Sequence, residues 1–401
     1  MALLPVAEAI ERLLDDARPL DAETVPLARA AGRVLAAPLV ALRTQPPFPA
    51  SAMDGYAVRA ADVAKVPARL VVTGTAAAGQ QFGGAVGPGE AVRIFTGAPV
   101  PEGADTIAIQ ENVRALDGAT IEVFETVSQG RHIRRVGLDF SQGDMLLGGG
   151  RMLDAAAVSL AASANHPSLC VIRKPLVALI ATGDELLPPG SATGPAQIIA
   201  SNAFGVAAIA EAAGARVLDL GIAPDRIEAI SALVRKAVEA KADVIVTLGG
   251  ASVGDHDLVH NVLTGLGMDL GFWKIAMRPG KPLMFGRLGA TRCLGLPGNP
   301  VASLVCSHLF LKPLLASLAG RPHQQDMCEA TLAKAMAVNG QRQDYVRAVV
   351  ERTPTGLMAT PFAVQDSSML RSMADANGLI VREPLAPAAD AGAPCRVLML
   401  R

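Results

Sequence analysis

The chain has 401 residues, 51% hydrophobic but with only 13 aromatics, and 36 basic against 37 acidic side chains. That length carries about two to four domains. Its near-zero net charge removes the electrostatic case for nucleic acid or an anionic membrane, and so few aromatics leave little material for base-stacking platforms.

In chain order, Val6, Ile10, Leu13 and Leu14 at helical spacing predict a packing helix over 5–17. From 42 to 137, short β-type runs (70–72, 91–95, 106–109, 120–124) are divided by glycine-rich punctuation such as Gly83-Gly84, the texture of a small β-rich domain. Residues 138–170 return to an alanine-rich helical texture. Strands predicted at 176–181, 216–220, 243–248 and 272–276 then alternate with helices near 203–213, 227–239, 258–266 and 301–318. Such alternation argues for a doubly wound, mostly parallel sheet with right-handed crossovers. Runs at 282–285 and 292–296 predict a hairpin, and β texture at 345–350, 379–381 and 396–400 predicts a C-terminal β domain.

The five cysteines (Cys170, Cys293, Cys306, Cys328, Cys395) are scattered and never in Cys-x-x-Cys spacing, which predicts reduced, mostly buried thiols in the cytoplasm. No basic segment followed by an apolar run opens the chain, and no stretch reads as roughly 18 apolar residues, so a soluble cytoplasmic protein is expected.

The strand at 243–248 breaks into Gly249-Gly250-Ala251-Ser252-Val253-Gly254-Asp255-His256-Asp257 before a helix. Gly249, Gly250 and Gly254 let backbone N–H groups approach a ligand, and the helix N-terminus behind them favours negative charge. Asp255 and Asp257 on the same loop would repel a bare phosphate unless they hold a cation or accept hydrogen bonds, which suggests a phosphate ester with Mg²⁺. Taken alone, the loop reads equally well as a structural turn. Arg278-Pro279-Gly280-Lys281 and Gly295-Leu296-Pro297-Gly298-Asn299-Pro300 follow further strands. Loops at the carboxyl ends of parallel strands converge on one crevice, although each is singly also a tight turn. Glu185, in Thr182-Gly183-Asp184-Glu185, faces the same crevice or caps its loop. Asp225 faces it too or N-caps the helix near 227. His256 and His260 stand at i,i+4 with no third ligand nearby.

These three loops resemble the motif series of MoeA-type molybdopterin molybdenumtransferases, relatives of the gephyrin E domain. Pro46-Pro47-Phe48, Ser51-Ala52-Met53-Asp54-Gly55-Tyr56-Ala57 and Arg93-Ile94-Phe95-Thr96-Gly97-Ala98 resemble two further motifs of that family, so the likeness spans nearly the whole chain in order. It implies an α/β multidomain fold. Residues 1–41 with 138–170 would be an N-terminal helix and connecting domain, and 42–137 a β-rich lid. Residues 171–320 would form a MogA-like molybdopterin-binding domain with a doubly wound, mostly parallel sheet, and 321–401 a barrel-like β domain.

The activity implied is insertion of molybdate into adenylylated molybdopterin, with Mg²⁺-dependent release of AMP. The resemblance assigns catalysis to Asp54, Thr96, Glu185, Asp225, Asp257 and Lys281, with Asp257 and Glu185 on the metal. It assigns ligand contacts to Gly249, Gly250, Ser252, Gly254, Asp255, Arg278, Gly298, Asn299, Pro300, Arg347, Ser367 and Ser368. Arg278 and Lys281 are the candidate oxyanion site, since paired cations on a rigid turn suit a tetrahedral dianion. The likeness also implies a homodimer with a shared active site and transient contacts with other cofactor-biosynthesis proteins. Alternatives are the adenylyltransferase of the same pathway, which resembles 175–320 alone, and a non-catalytic molybdopterin-binding scaffold. The sequence departs from the family at Pro49-Ala50, at Leu248 and Ala302 where serines are common, and at Arg278 where lysine is frequent. Ser303 points elsewhere on its helix and is not expected to replace the lost hydroxyl.

Overall fold

In the computed structural model, which describes residues 3–250, 258–323 and 325–400, the apolar runs after 175 assemble into one sheet. The chain divides into two units, one of residues up to 23, 32–34 and 171 onward, the other of 24–31 and 35–170.

The first unit contains helix α1 (Val6–Leu14) and the strands β1 (Leu176–Thr182), β2 (Arg216–Ala223), β3 (Val244–Leu248), β4 (Asp269–Trp273), β5 (Met277–Arg278), β6 (Met284–Leu288) and β7 (Thr291–Leu296). The main sheet runs β2-β1-β3-β7-β6-β4, and β2, β1, β3 and β7 are mutually parallel. Strands β3 and β7 are buried throughout, and nearly all of β1 is, because helices cover both faces. Alternation sorts their side chains between two cores. Val177, Leu179, Val244, Val246, Leu294 and Leu296 join the cluster under α1, α2 (Asn202–Ala212) and α5 (Pro300–Leu318). Ala178, Ile180, Ile245 and Cys293 join the cluster under α3 (Ile227–Glu239) and α4 (Leu258–Gly265).

The predicted strand at 272–276 lies earlier, at Asp269–Trp273, on the sheet edge, where it pairs antiparallel to β6. The hairpin β6–β7 is present, and its second arm supplies the fourth parallel strand. Two antiparallel steps in succession leave β4 running in the same sense as the parallel strands, so its carboxyl end also opens on their edge.

Helix α5 is long and apolar enough to cross a membrane, contrary to the sequence expectation, but 78% of its apolar window is buried as the central core helix. A π turn over Ser307–Leu311 interrupts it. There the Ser307 hydroxyl donates to the Ser303 carbonyl at 2.8 Å, a back-bond of the kind that bends helices. Of the cysteines, Cys293 and Cys306 are buried, Cys328 and Cys395 are half-buried, and Cys170 is exposed, so burial is less general than expected.

After α5 come β8 (Met327–Leu332), β9 (Gln343–Thr353), β10 (Gly356–Pro361), α6 (Leu370–Asp375), β11 (Gly378–Arg382) and β12 (Pro394–Met399). The strands close in the order β9-β10-β8-β12-β11 and back to β9, a five-stranded barrel. Strand β5 adds to it by pairing parallel with β9, so the turn that follows β5 is tied to the barrel.

The second unit holds a six-stranded sheet ordered Thr106–Ile109, Gly55–Val58, Glu90–Ile94, Ala68–Ala76, Thr120–Val123, Val113–Ala115. Alternate residues again separate into two clusters, with Val58, Ala91 and Ala108 in one and Ala57, Val92 and Ile107 in the other. Its helix Ala155–Ser163 is N-capped by Asp154, whose carboxylate accepts from the Ala157 N–H at 2.8 Å.

The start of the parallel sheet is fixed by Asp243. Its carboxylate accepts two bonds from Arg173, at 2.7 and 2.6 Å, and one from the Leu176 N–H at 2.8 Å. The pair raises the Arg173 pKa further through that hydrogen bond. Asp243→Ala is therefore expected to cost about 2–3 kcal/mol of unfolding free energy, measured by urea titration, because it strands the β1 donor and a half-buried guanidinium.

Candidate functional site

The carboxyl edge of the main sheet opens into a crevice of about 990 Å³. Its walls are the segments that follow each strand: Thr182, Gly183 and Glu185 after β1, Asp225 after β2, Gly249 and Gly250 after β3, Arg278 to Pro282 after β4 and β5, and Pro297 to Pro300 after β7. The barrel contributes Arg342, Gln365, Asp366, Ser367 and Ser368. Sequence-predicted Glu185, Asp225, Gly249, Gly250, Arg278, Lys281, Gly298, Asn299, Pro300, Ser367 and Ser368 thus meet in one place. Ser252, Gly254, Asp255 and Asp257 lie outside the described residues.

The glycine loop has little room for side chains. At Gly250, with φ +65°, a Cβ would fall 2.4 Å from Val259 Cγ2 and 2.9 Å from Thr182 Oγ1, and at Gly249, with φ +94°, 2.8 Å from the Thr182 carbonyl oxygen. Backbone therefore stays bare at the crevice floor. Leu248 and Ala302 line the crevice where hydroxyls were noted as missing. Ser303 does not replace them: it is fully buried, and its hydroxyl has no partner.

One wall is acidic. The Asp184 carboxylate accepts from the Asp225 N–H at 3.1 Å. Partial desolvation, and then the negative charges of Asp184 and Glu185, raise the Asp225 pKa above the ordinary carboxylate value. The N-cap reading of Asp225 is not realised, since α3 starts at Ile227 with Arg226 in the cap position. Among the described residues no group of three or more candidate ligands gathers around a metal position.

The opposite wall is cationic and is shared with a second cavity of about 640 Å³, because Arg278, Lys281 and Arg342 line both. Arg278 is ion-paired with Asp344, its register partner across β5 and β9. Arg342 and Asp344 were missed in the sequence. Their two-residue spacing at the start of a strand, which places side chains on one face, is the signal that would have found them.

A hydrogen-bonded seam joins the loop after β7 to the barrel. Asn299 Nδ2 donates to Ser367 Oγ at 2.9 Å, and the Val301 N–H donates to the Ser367 carbonyl at 3.0 Å. Asn202 Nδ2 closes the other side on the Gly298 carbonyl at 2.8 Å. Ser368 donates to Asp366 from both hydroxyl and N–H, at 2.6 and 2.8 Å, and these bonds hold the Asp366 pKa down.

Arg347, expected to touch ligand, is corrected: it is absent from the crevice lining and only 1% exposed. Its guanidinium bonds Gln365 Oε1, Ser372 Oγ and the carbonyls of Asp366 and Met369. It is the peg on which the Gln365–Met369 loop hangs, since β9 alternation turns Arg347 inward.

Asp54 and Thr96 belong to the second unit, where they meet each other. The Asp54 carboxylate accepts from the Thr96 N–H at 2.7 Å and its hydroxyl at 2.8 Å. Those two bonds hold the Asp54 pKa below its ordinary value. The neighbouring Gly55 is required by close packing, since a Cβ there would lie 2.1 Å from the Ala108 carbonyl oxygen across the strand pair. Tyr56 is a packing residue, with Arg93 over its ring at 5.0 Å. In the first unit, His260 stacks on Trp273.

Three family models match the chain: the MoeA N-terminal region (domain I and II) over residues 4–165, a probable molybdopterin binding domain over 178–317, and the MoeA C-terminal region (domain IV) over 329–400. A Bacillus subtilis protein named molybdopterin molybdenumtransferase is 35% identical over 99% of this chain and 94% of its own length. A Haemophilus influenzae protein of the same name is 34% identical over 95% of each. A solved molybdopterin biosynthesis MoeA structure from Pyrococcus horikoshii superposes with a TM-score of 0.83 at 30% identity, covering 100% of both chains.

Two outcomes follow from the geometry. Thr96→Val removes the hydroxyl bond but leaves the N–H, so the Asp54 pKa is expected to rise towards its ordinary value in an NMR carboxyl titration. A depressed carboxyl stabilises above its unfolded pKa and loses that contribution as pH falls through the folded one, so the variant loses it at higher pH than the parent. Arg347→Met is expected to cost about 2–4 kcal/mol in urea unfolding and to raise hydrogen exchange selectively over residues 365–369.

Proposed function

We propose that this chain, which belongs to the MoeA family, is a molybdopterin molybdenumtransferase that inserts molybdate into adenylylated molybdopterin and releases AMP. The observation that carries this reading is one crevice with an acidic wall at Glu185 and Asp225, a cationic wall at Lys281, Arg342 and Arg278, and bare glycine backbone between them. The cationic side suits an oxyanion to be held, and the acidic side suits a nucleotide diphosphate to be cleaved once a cation lies between the two.

In this reading the bare backbone at Gly249 and Gly250 leaves space for the ligand to lie close to the sheet edge. The seam from Asn299 to Ser367 orients the barrel loop, whose Ser367 hydroxyl still has a proton to donate. Lys281 places the oxyanion beside the ligand sulfurs as a point charge. Cleavage of the phosphoanhydride leaves AMP, and the protein acts mainly by positioning and screening charge. Glu185 and Asp225 offer the hard oxygen donors that Mg²⁺ takes, and the Asp225 pKa, raised by partial desolvation first and then by the charges of Asp184 and Glu185, would fall beside a cation. Asp257, outside the described residues, completes the set proposed for it. When bound, Mg²⁺ supplies neutralisation of the diphosphate.

The reading includes a cytoplasmic homodimer with a shared active site, transient contact with other cofactor-biosynthesis proteins, and the four-part domain division set out above.

Purified protein given adenylylated molybdopterin, Mg²⁺ and molybdate is expected to release AMP only when molybdate is present, and Lys281→Ala to slow that release by roughly 10²-fold. An adenylyltransferase would instead consume ATP. Absence of AMP release from a folded protein that binds the nucleotide would favour the scaffold.

A further inference from the structure

Three strands of the second unit bring polar residues to one end of its sheet. Gly55–Val58 lies between Glu90–Ile94 and Thr106–Ile109 and is antiparallel to both, with Tyr56 opposite Arg93 and Gly55 opposite Ile94 and Ile109. Asp54 therefore enters the central strand where Thr96 and Gln110 leave its neighbours. Both bonds from Thr96 fall on Asp54 Oδ1, so Oδ2 has no partner among the described residues. The Gln110 N–H donates to the Asp54 carbonyl at 3.1 Å. Arg93 spans the same end. Its guanidinium lies over the rings of Tyr56 and Phe95, at 5.0 and 5.1 Å, while one nitrogen donates to the Gly55 carbonyl at 3.2 Å and another to Gln110 Oε1 at 2.6 Å. Both acceptors are neutral, so the fork supplies direction and does not cancel a charge.

We propose that Arg93 is a positioning residue that fixes the direction of the Asp54 carboxylate, by holding the Gly55 carbonyl itself and, through Gln110, the carbonyl of Asp54. This rests on the transferase reading above, in which Asp54 takes part in the reaction. A carboxylate with one oxygen occupied and the other free acts in a chosen direction only when its backbone is held. Close packing on Ala108 makes the next residue a glycine, which brings no side chain to restrict the chain, and the bond from Arg93 to that glycine's carbonyl supplies the missing restraint. The two rings confine the guanidinium in turn. A lysine ammonium is compact and cannot reach both acceptors from one fixed plane. Bonds as exposed as that to Gln110 add little to stability, so their consequence is orientation more than folding. After the N–H and hydroxyl of Thr96, the Arg93 charge also helps to keep Asp54 ionised.

The test measures AMP release by the full chain, under single-turnover conditions for the slow variants, and the Asp54 pKa by NMR carboxyl titration. Arg93→Met is expected to slow release roughly tenfold at saturating substrate while the molybdate KM stays within about twofold of the parent, since the crevice is untouched. Arg93→Lys keeps the charge and loses the fork, so it is expected to stay well below the parental rate and to raise the Asp54 pKa towards its ordinary value. In an Asp54→Asn background, Arg93→Met is expected to cost no more than about twofold further, because Arg93 acts through Asp54. A further tenfold loss in that background would overturn the proposal by making Arg93 a general structural support. A parental rate or a parental Asp54 pKa in Arg93→Lys would overturn it as well. If Arg93→Met fails to fold, Arg93→Lys with and without Asp54→Asn decides. If the parent protein releases no AMP, the transferase reading fails, and the Asp54 pKa in Arg93→Lys still judges the positioning.

Discussion

Burial of the central strands on both faces is the constraint from which the site follows. With β1, β3 and β7 buried along nearly all their length, covered by helices and mutually parallel, their carboxyl ends share one edge. Every segment with chemistry in the first unit leaves from that edge or is bonded to one that does. Gly249 and Gly250 follow β3, Asn299 follows β7, and Glu185 and Asp225 follow β1 and β2.

The barrel is held against this edge by specific bonds and not by apolar contact alone. Strand β5 adds to β9, Asn299 and Val301 bond Ser367, and Arg347 pins the loop that carries Ser367 from beneath. A buried arginine with several carbonyl and side-chain acceptors is costly to leave unsatisfied, so the loop it supports has few alternative arrangements. The placement of a crevice loop thus depends on a residue that does not itself line the crevice.

Much of this was legible in the sequence. Doubly wound texture, the hairpin and the convergence of three turns rest on periodicities of 2 and 3.6 that survive folding, and α3 begins and ends at the residues where its pattern does. What the sequence hid depends on tertiary partners. The inward turn of Arg347 reflects which face of β9 meets α6, and the commitment of Arg278 reflects its opposition to a carboxylate more than 60 residues away. The edge position of β4 likewise follows from its pairing with β6, whereas an apolar run alone cannot distinguish an edge strand from a central one. The Asp54 motif matched no periodicity because its residues answer to local bonds: a carboxylate tied to Thr96 and a glycine pressed on Ala108.

Charge is placed with the same economy. A protein almost neutral overall gathers Glu185, Asp225 and Asp366 as well as Arg278, Lys281 and Arg342 around one crevice, so its field is strong locally although its net charge is near zero. The most direct test is to locate the oxyanion. Crystals soaked in tungstate, a heavy tetrahedral dianion, should show their strongest anomalous peak at the cationic wall, within reach of Lys281 and Arg342. A peak confined to other basic surface, with none at that wall after saturation, would contradict the account.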